Sequence, residues 1–208
     1  MDDTEFDTTL IASALTLAGT QGWRSVTVPA AARAANLPLA RARMRFPSKA
    51  AILLEFNRLA DALTLEETPE EGTVRDRLFA LLIRRFDALQ AQRDGILAVS
   101  RALPFDPATA LLLVCATRRS MRWMLQAAGV PTSGPIGELR VRGLIAVWLW
   151  AMRAWEKDES EDLTATMAAL DTALSRAEQA AGWLTGRGAV KVESETPSDA
   201  ELGEPATE

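Results

Sequence analysis

Apolar residues recur at three- and four-residue spacing from Phe6 to Leu184, and no alternating strand pattern interrupts them. The periodicity predicts an all-α chain of about nine helices. The first starts at Thr4 or Asp7 and runs to Gln21, with Gly22 closing it and Trp23 packing back as a lid. Thr27 caps a second, with Pro29 in its first turn, where a missing N–H costs nothing. Its alanine-rich run stops at Asn36, a residue that tolerates the left-handed turn conformation. After Leu37 and Pro38 a short third helix covers residues 39–44. Ser48 caps a fourth over 49–65, with Ile52, Leu53, Phe56, Leu59, Ala60 and Leu63 on one face. The acidic stretch EETPEEGT then breaks the pattern. Five further helices are expected at 74–92, 94–103, 107–128, 135–157 and 161–184.

Two short helices joined by a tight turn, with small residues where they cross and arginines on the second, form the pattern of a helix-turn-helix. Charge agrees with it. From Thr8 to Leu54 there is no Asp or Glu, while Arg24, Arg33, Arg41, Arg43, Arg45 and Lys49 supply six positive charges in a chain of net charge −5. The basic segment is therefore local, and a phosphate backbone is its natural partner, because each neutralised phosphate releases counterions. Three parts follow: a DNA-binding head at 1–48, a helical regulatory and dimerisation body at 49–185, and an acidic tail at 186–208. That tail has no apolar period and is expected to be disordered.

The segments ALTLAGTQGW, VTV, AARAANL and RFPSKAAILLEF, in that order and spacing, resemble the N-terminal domain of TetR-type transcription regulators. The F-x-S-K element is the most specific of them. Asn36 and Ala40 stand where the family pattern has glycine. Arg43 and Arg45 stand where it has the phosphate-holding Tyr and His, a role arginine can also fill. The resemblance implies a helical repressor with no enzymatic activity, homodimeric on a palindromic operator of double-stranded DNA and released by a small apolar effector. The residues expected against the duplex are Thr27, Pro38, Leu39, Arg41, Ala42, Arg43, Arg45 and Lys49.

The last two helices carry most of the large side chains. An apolar face wider than one stripe needs more than one burial partner. The resemblance implies a four-helix dimer interface there, for which Trp150, Trp155, Met167, Leu170 and Leu174 are the candidates; filling of the monomer core is the other use for the tryptophans. If helices five, seven and eight form a bundle, Phe79, Phe86, Met121, Met124, Trp148 and Met152 face one another as a ligand pocket, with Arg85, Arg118, Arg119 or Arg122 available for a polar head group. The back half also resembles TetR-fold lipid-binding accessory proteins of ubiquinone biosynthesis, in which the head is vestigial and the cavity holds an isoprenoid or other lipid.

With no His, no Tyr and one Cys, the chain offers no Ser-His or Cys-His pair, no zinc site and no glycine-rich phosphate loop, so neither catalysis nor a cofactor is expected. Cys115, within ATALLLVCA, reads as a buried, inert thiol. The acidic start lacks a signal-peptide pattern, and the longest apolar run, residues 144–152, falls well short of the roughly 20 residues that span a bilayer. A cytoplasmic protein is the expectation.

Overall fold

In the computed structural model, which describes residues 1–68, 71–160 and 162–184, helix α1 (Asp3–Gln21) begins where the Asp2 carboxylate accepts the Glu5 N–H at 2.7 Å. Gly22, at φ 80°, ends it in a conformation that a β-carbon disfavours, and one 3₁₀ turn, Trp23–Ser25, follows. Thr27 caps α2 (Val28–Ala34), Asn36 turns the chain at φ 54°, and α3 (Leu39–Arg45) follows. Ser48 caps α4 (Lys49–Glu66). A reciprocal Thr73–Asp76 capping box opens α5 (Val74–Gln90), and α6 spans Arg93–Ala102. Asp106 caps α7 (Pro107–Ala127); α8 (Gly134–Trp155) and α9 (Thr164–Leu184) complete the order. The described residues contain helices and no strand. The tail expected at 186–208 lies outside them, as do Pro69, Glu70 and Glu161.

Two apolar cores form. The first joins α1, Trp23, Val26, α2, α3 and the start of α4, and it recruits Val99 and Ala102 from α6. Ala31 and Ala32 are fully buried, which lets α2 lie close on α1, where the Ser13 hydroxyl donates to the Ala31 carbonyl at 2.9 Å. The second core joins α5, the C-terminal half of α7, α8 and α9. Phe56 of α4 packs against both. A third contact links head to body: α1 crosses α6 so closely at Gly95 that a β-carbon there would sit 2.4 Å from the Leu15 carbonyl oxygen.

The inner faces of α8 and α9 are spent on the second core. Trp155 is fully buried and donates its indole N–H to Gln90 at 2.9 Å, while Phe86 stacks on Trp148 with ring centroids 4.5 Å apart. Trp155, Leu170 and Leu174, expected at a dimer interface, are instead interior residues of one chain, and Met167 is half-buried. Trp150 alone of that set is exposed, at 49%, with the Arg176 guanidinium 5.6 Å from its ring centroid. Cys115 is also exposed, against the expectation of burial: it falls on the solvent side of α7 with Leu111 and Val114, while Ala116, Ser120 and Met124 turn inward. Local apolar content could not reveal which side of the helix faced the core.

Candidate nucleic-acid interface

Alpha-helical periodicity sorts α3 into three sectors. Ala42, 1% exposed, points into the head core and cannot reach a duplex, which removes it from the expected DNA contacts. Arg41 and Arg45 share a second sector and face the start of α1. Arg41 donates to Asp3 Oδ1 at 2.5 Å and to the Asp2 carbonyl at 2.9 Å, with its guanidinium 4.4 Å from the Phe6 ring centroid. Arg45 donates to both carboxylate oxygens of Asp7, a residue only 3% exposed, and reaches Asp3 Oδ2 at 2.7 Å. The Arg41 hydrogen bond holds the Asp3 carboxyl below its usual range, and the Asp7 hydrogen bond raises Arg45. The six positive charges of the head are thus not all uncompensated. The neutralising acids lie just before Thr8, one helix away in sequence and adjacent in space.

The third sector faces outward and comprises Leu39, Ala40, Arg43 and Met44. Beside it lies an open cleft of about 500 Å³ whose walls include Arg24, Thr27, Leu39, Arg43, Ser48 and Lys49 and, among the described residues, no acidic side chain. The Thr27 hydroxyl is engaged as the α2 cap, accepting the Ala30 N–H at 3.2 Å. Arg43 donates to the Pro47 carbonyl at 3.0 Å, and Lys49 donates to the Trp23 carbonyl at 3.3 Å with its ammonium 5.4 Å from the Trp23 ring centroid. Among the described residues neither Arg43 nor Lys49 forms an ion pair with a carboxylate, and Lys49 acts on Asp106 only at longer range. Pro38 is exposed at the start of α3.

A second cavity, about 380 Å³, lies between α1, α4 and the body helices, walled by Leu53, Phe56, Leu89, Ile96, Leu113, Trp148 and Met152 among others. Of the expected pocket residues Arg85, Trp148 and Met152 reach it. Phe86, Met121 and Met124 are fully buried in the second core and Phe79 packs at that core's margin, because α5 and α7 meet through these side chains and leave no space between them. Arg118 and Arg122 lie on the outside, both paired with Glu138 of α8. Arg85 and Arg153 are the cations on its walls, and Arg85 is the buried one: 3% exposed, in contact with Asp61, donating to Asn57 Oδ1 at 2.7 Å and lying 5.3 Å from the Trp148 ring centroid. Ser120 donates to Asp61 at 2.6 Å. Burial pushes the Arg85 guanidinium below its ordinary value, opposed by Asp61. Its Nε–H is buried without an acceptor among the described residues. Arg85 breaks the apolar register of α5, and that break was its signal in the sequence. Asp61 gave none.

No family model matches the chain, and no curated protein matches it. Solved structures do. A TetR transcriptional regulator from Nitrosomonas europaea ATCC 19718 superposes with a TM-score of 0.69 at 21% identity, over 84% of this chain and 99% of that one. A TetR-family transcriptional regulator from Streptomyces coelicolor gives 0.61 at 23% identity over 90% and 87%. A TetR transcriptional regulator from Rhodococcus sp. RHA1 gives 0.58 at 16% over 85% and 97%. At these identities the likeness establishes the fold: the all-helical architecture is that of TetR-family transcriptional regulators.

Proposed function

We propose that this TetR-fold chain is a TetR-type transcription regulator, a cytoplasmic homodimeric repressor that holds a palindromic operator through α3 and releases it when a small apolar effector enters the cavity behind the head. The observation that carries the reading is the acid-free cleft between α2, α3 and the start of α4. Arg24, Arg43 and Lys49 meet there at the capped N-terminus of α4, an arrangement suited to backbone phosphates. A lipid carrier has no need of that concentration of positive charge on one face except to touch an anionic membrane.

The dimer follows from the outer side of α8. Ile136, Leu139, Gly143, Ala146 and Trp150 are spaced alternately three and four residues apart, the spacing of a helix seam. Ile136, Leu139, Ala146 and Trp150 are exposed, and a β-carbon at Gly143 would meet nothing within 4 Å. A second copy related by a two-fold axis would cover this stripe and present two α3 helices to successive major grooves. For the effector, a cavity of about 380 Å³ sits at the small end of ligand sites. That volume suits a compact molecule better than a long isoprenoid. Arg85 offers such a molecule one donor.

The test is fluorescence anisotropy of the full chain against duplex from its own upstream region and a scrambled duplex, at two salt concentrations. Tighter binding to the native duplex, weakening as salt rises, is expected. Arg43→Ala and Lys49→Ala should each flatten the logarithmic salt dependence by about one. Absence of binding to either duplex, together with a co-purifying isoprenoid or other lipid found by mass spectrometry, would replace this reading with the lipid-binding one.

A further inference from the structure

With Arg41 and Arg45 drawn to the α1 acids and Ala42 in the core, the part of α3 left to meet a partner is mostly apolar. Met44 is 83% exposed, the highest value among the large apolar residues of the described chain, and Ala40 lies one turn before it on the same face. Arg43 and Lys49 flank that tip on the cleft side. The surrounding charge selects a polyanion, and a single helix of this size fits the major groove. The floor of that groove is hydrogen-bonding edge except at one feature, the C5-methyl group of thymine. We propose that Ala40 and Met44 are specificity-determining residues that read thymine methyl groups, and that Asp3 and Asp7 are positioning residues which hold Arg41 and Arg45 aside so that the apolar tip meets the bases. This rests on the DNA-binding reading above.

The charged arc does not favour a membrane or an acidic protein in the duplex's place. Neither presents a groove that a single helix enters, and with two of the three α3 arginines committed within the chain it is the apolar tip that leads. A T-rich half-site rewards a methionine, whose flexible, polarisable side chain adapts to a methyl-lined surface.

The experiment selects duplexes from a randomised pool with the full-length protein, then replaces each thymine of the selected site by deoxyuridine, which removes only the methyl. Binding is measured by anisotropy with the native protein and with Met44→Ala, whose exposed position leaves the fold undisturbed. Replacement of at least one thymine per half-site should weaken native binding about fourfold, the value of burying one methyl-sized group. Met44→Ala should bind the thymine site more weakly and respond less to the replacement. Undiminished binding of the fully uridine-substituted site overturns the inference while leaving DNA binding intact. Binding to the pool without enrichment of any sequence does the same. Failure to bind any duplex at low salt overturns both.

Discussion

Asp3 and Asp7 set what the recognition helix can offer. Asp3 is the more exposed of the two; it pairs with Arg41 and also reaches Arg45, which keeps Asp7, so its removal frees chiefly the Arg41 guanidinium without opening the core. Asp3→Ala should tighten binding to all duplexes alike and steepen the logarithmic salt dependence by about one, measured by anisotropy across a salt series. A second residue-scale device is Asp158, between α8 and α9. It is 4% exposed, accepts the N–H and hydroxyl of Thr166 at 2.7 Å each and bonds to the Ser160 hydroxyl. Burial alone would raise its carboxyl; the bonds from Ser160 and Thr166 outweigh it and lower the value to about 2. Since the folded value lies below the ordinary carboxylate value of about 3.9, the stabilisation is complete above that pH and fades as pH falls toward 2. Asp158→Asn should therefore cost about 1–2 kcal/mol at neutral pH, with the gap to the native protein narrowing through the same window in acid-dependent urea unfolding. The same turn contains buried Leu163 at φ 55°, a conformation that disfavours leucine and that these bonds help to hold.

Among the elements, the crossing of α1 and α6 has the least slack. Gly95→Ala would place a methyl 2.4 Å from the Leu15 carbonyl oxygen and 2.7 Å from the Leu15 β-carbon, so the two helices must separate. A loss of about 1–3 kcal/mol is expected by denaturant unfolding, the range for overpacking a tight contact. Helix existence was legible in the sequence because caps and breakers were explicit: Gly22, Thr27, Asn36 and Ser48 act at the ends where the residue types pointed. Helix orientation was less legible. In α7 and α8 apolar side chains occur nearly all round, so period alone could not tell that Trp155 faces inward and Trp150 outward, or that Cys115 is exposed. In the candidate DNA interface the basic cleft could be read from the charge pattern. The Arg41–Asp3 and Arg45–Asp7 pairs could not, because they join residues 38 positions apart through tertiary packing.

For the whole molecule, the proposed dimer turns on the outer stripe of α8. Leu139→Glu with Trp150→Glu changes two exposed positions and should leave helix content by circular dichroism unaltered. Sedimentation should then show a monomer, and affinity for a two-half-site duplex should drop by at least about 100-fold, as the second half-site ceases to be held at high effective concentration. An unchanged sedimentation coefficient would place the contact on another face.

The exposed thiol of α7 has a use of its own. Cys115 is the sole cysteine in the sequence, so the native chain accepts one spin label at one known place without any engineered substitution. If two copies assemble about a dyad, paramagnetic spectroscopy would return a single distance between the two labels, and a change in it on adding operator or effector would give a direct ruler for how far the bodies move.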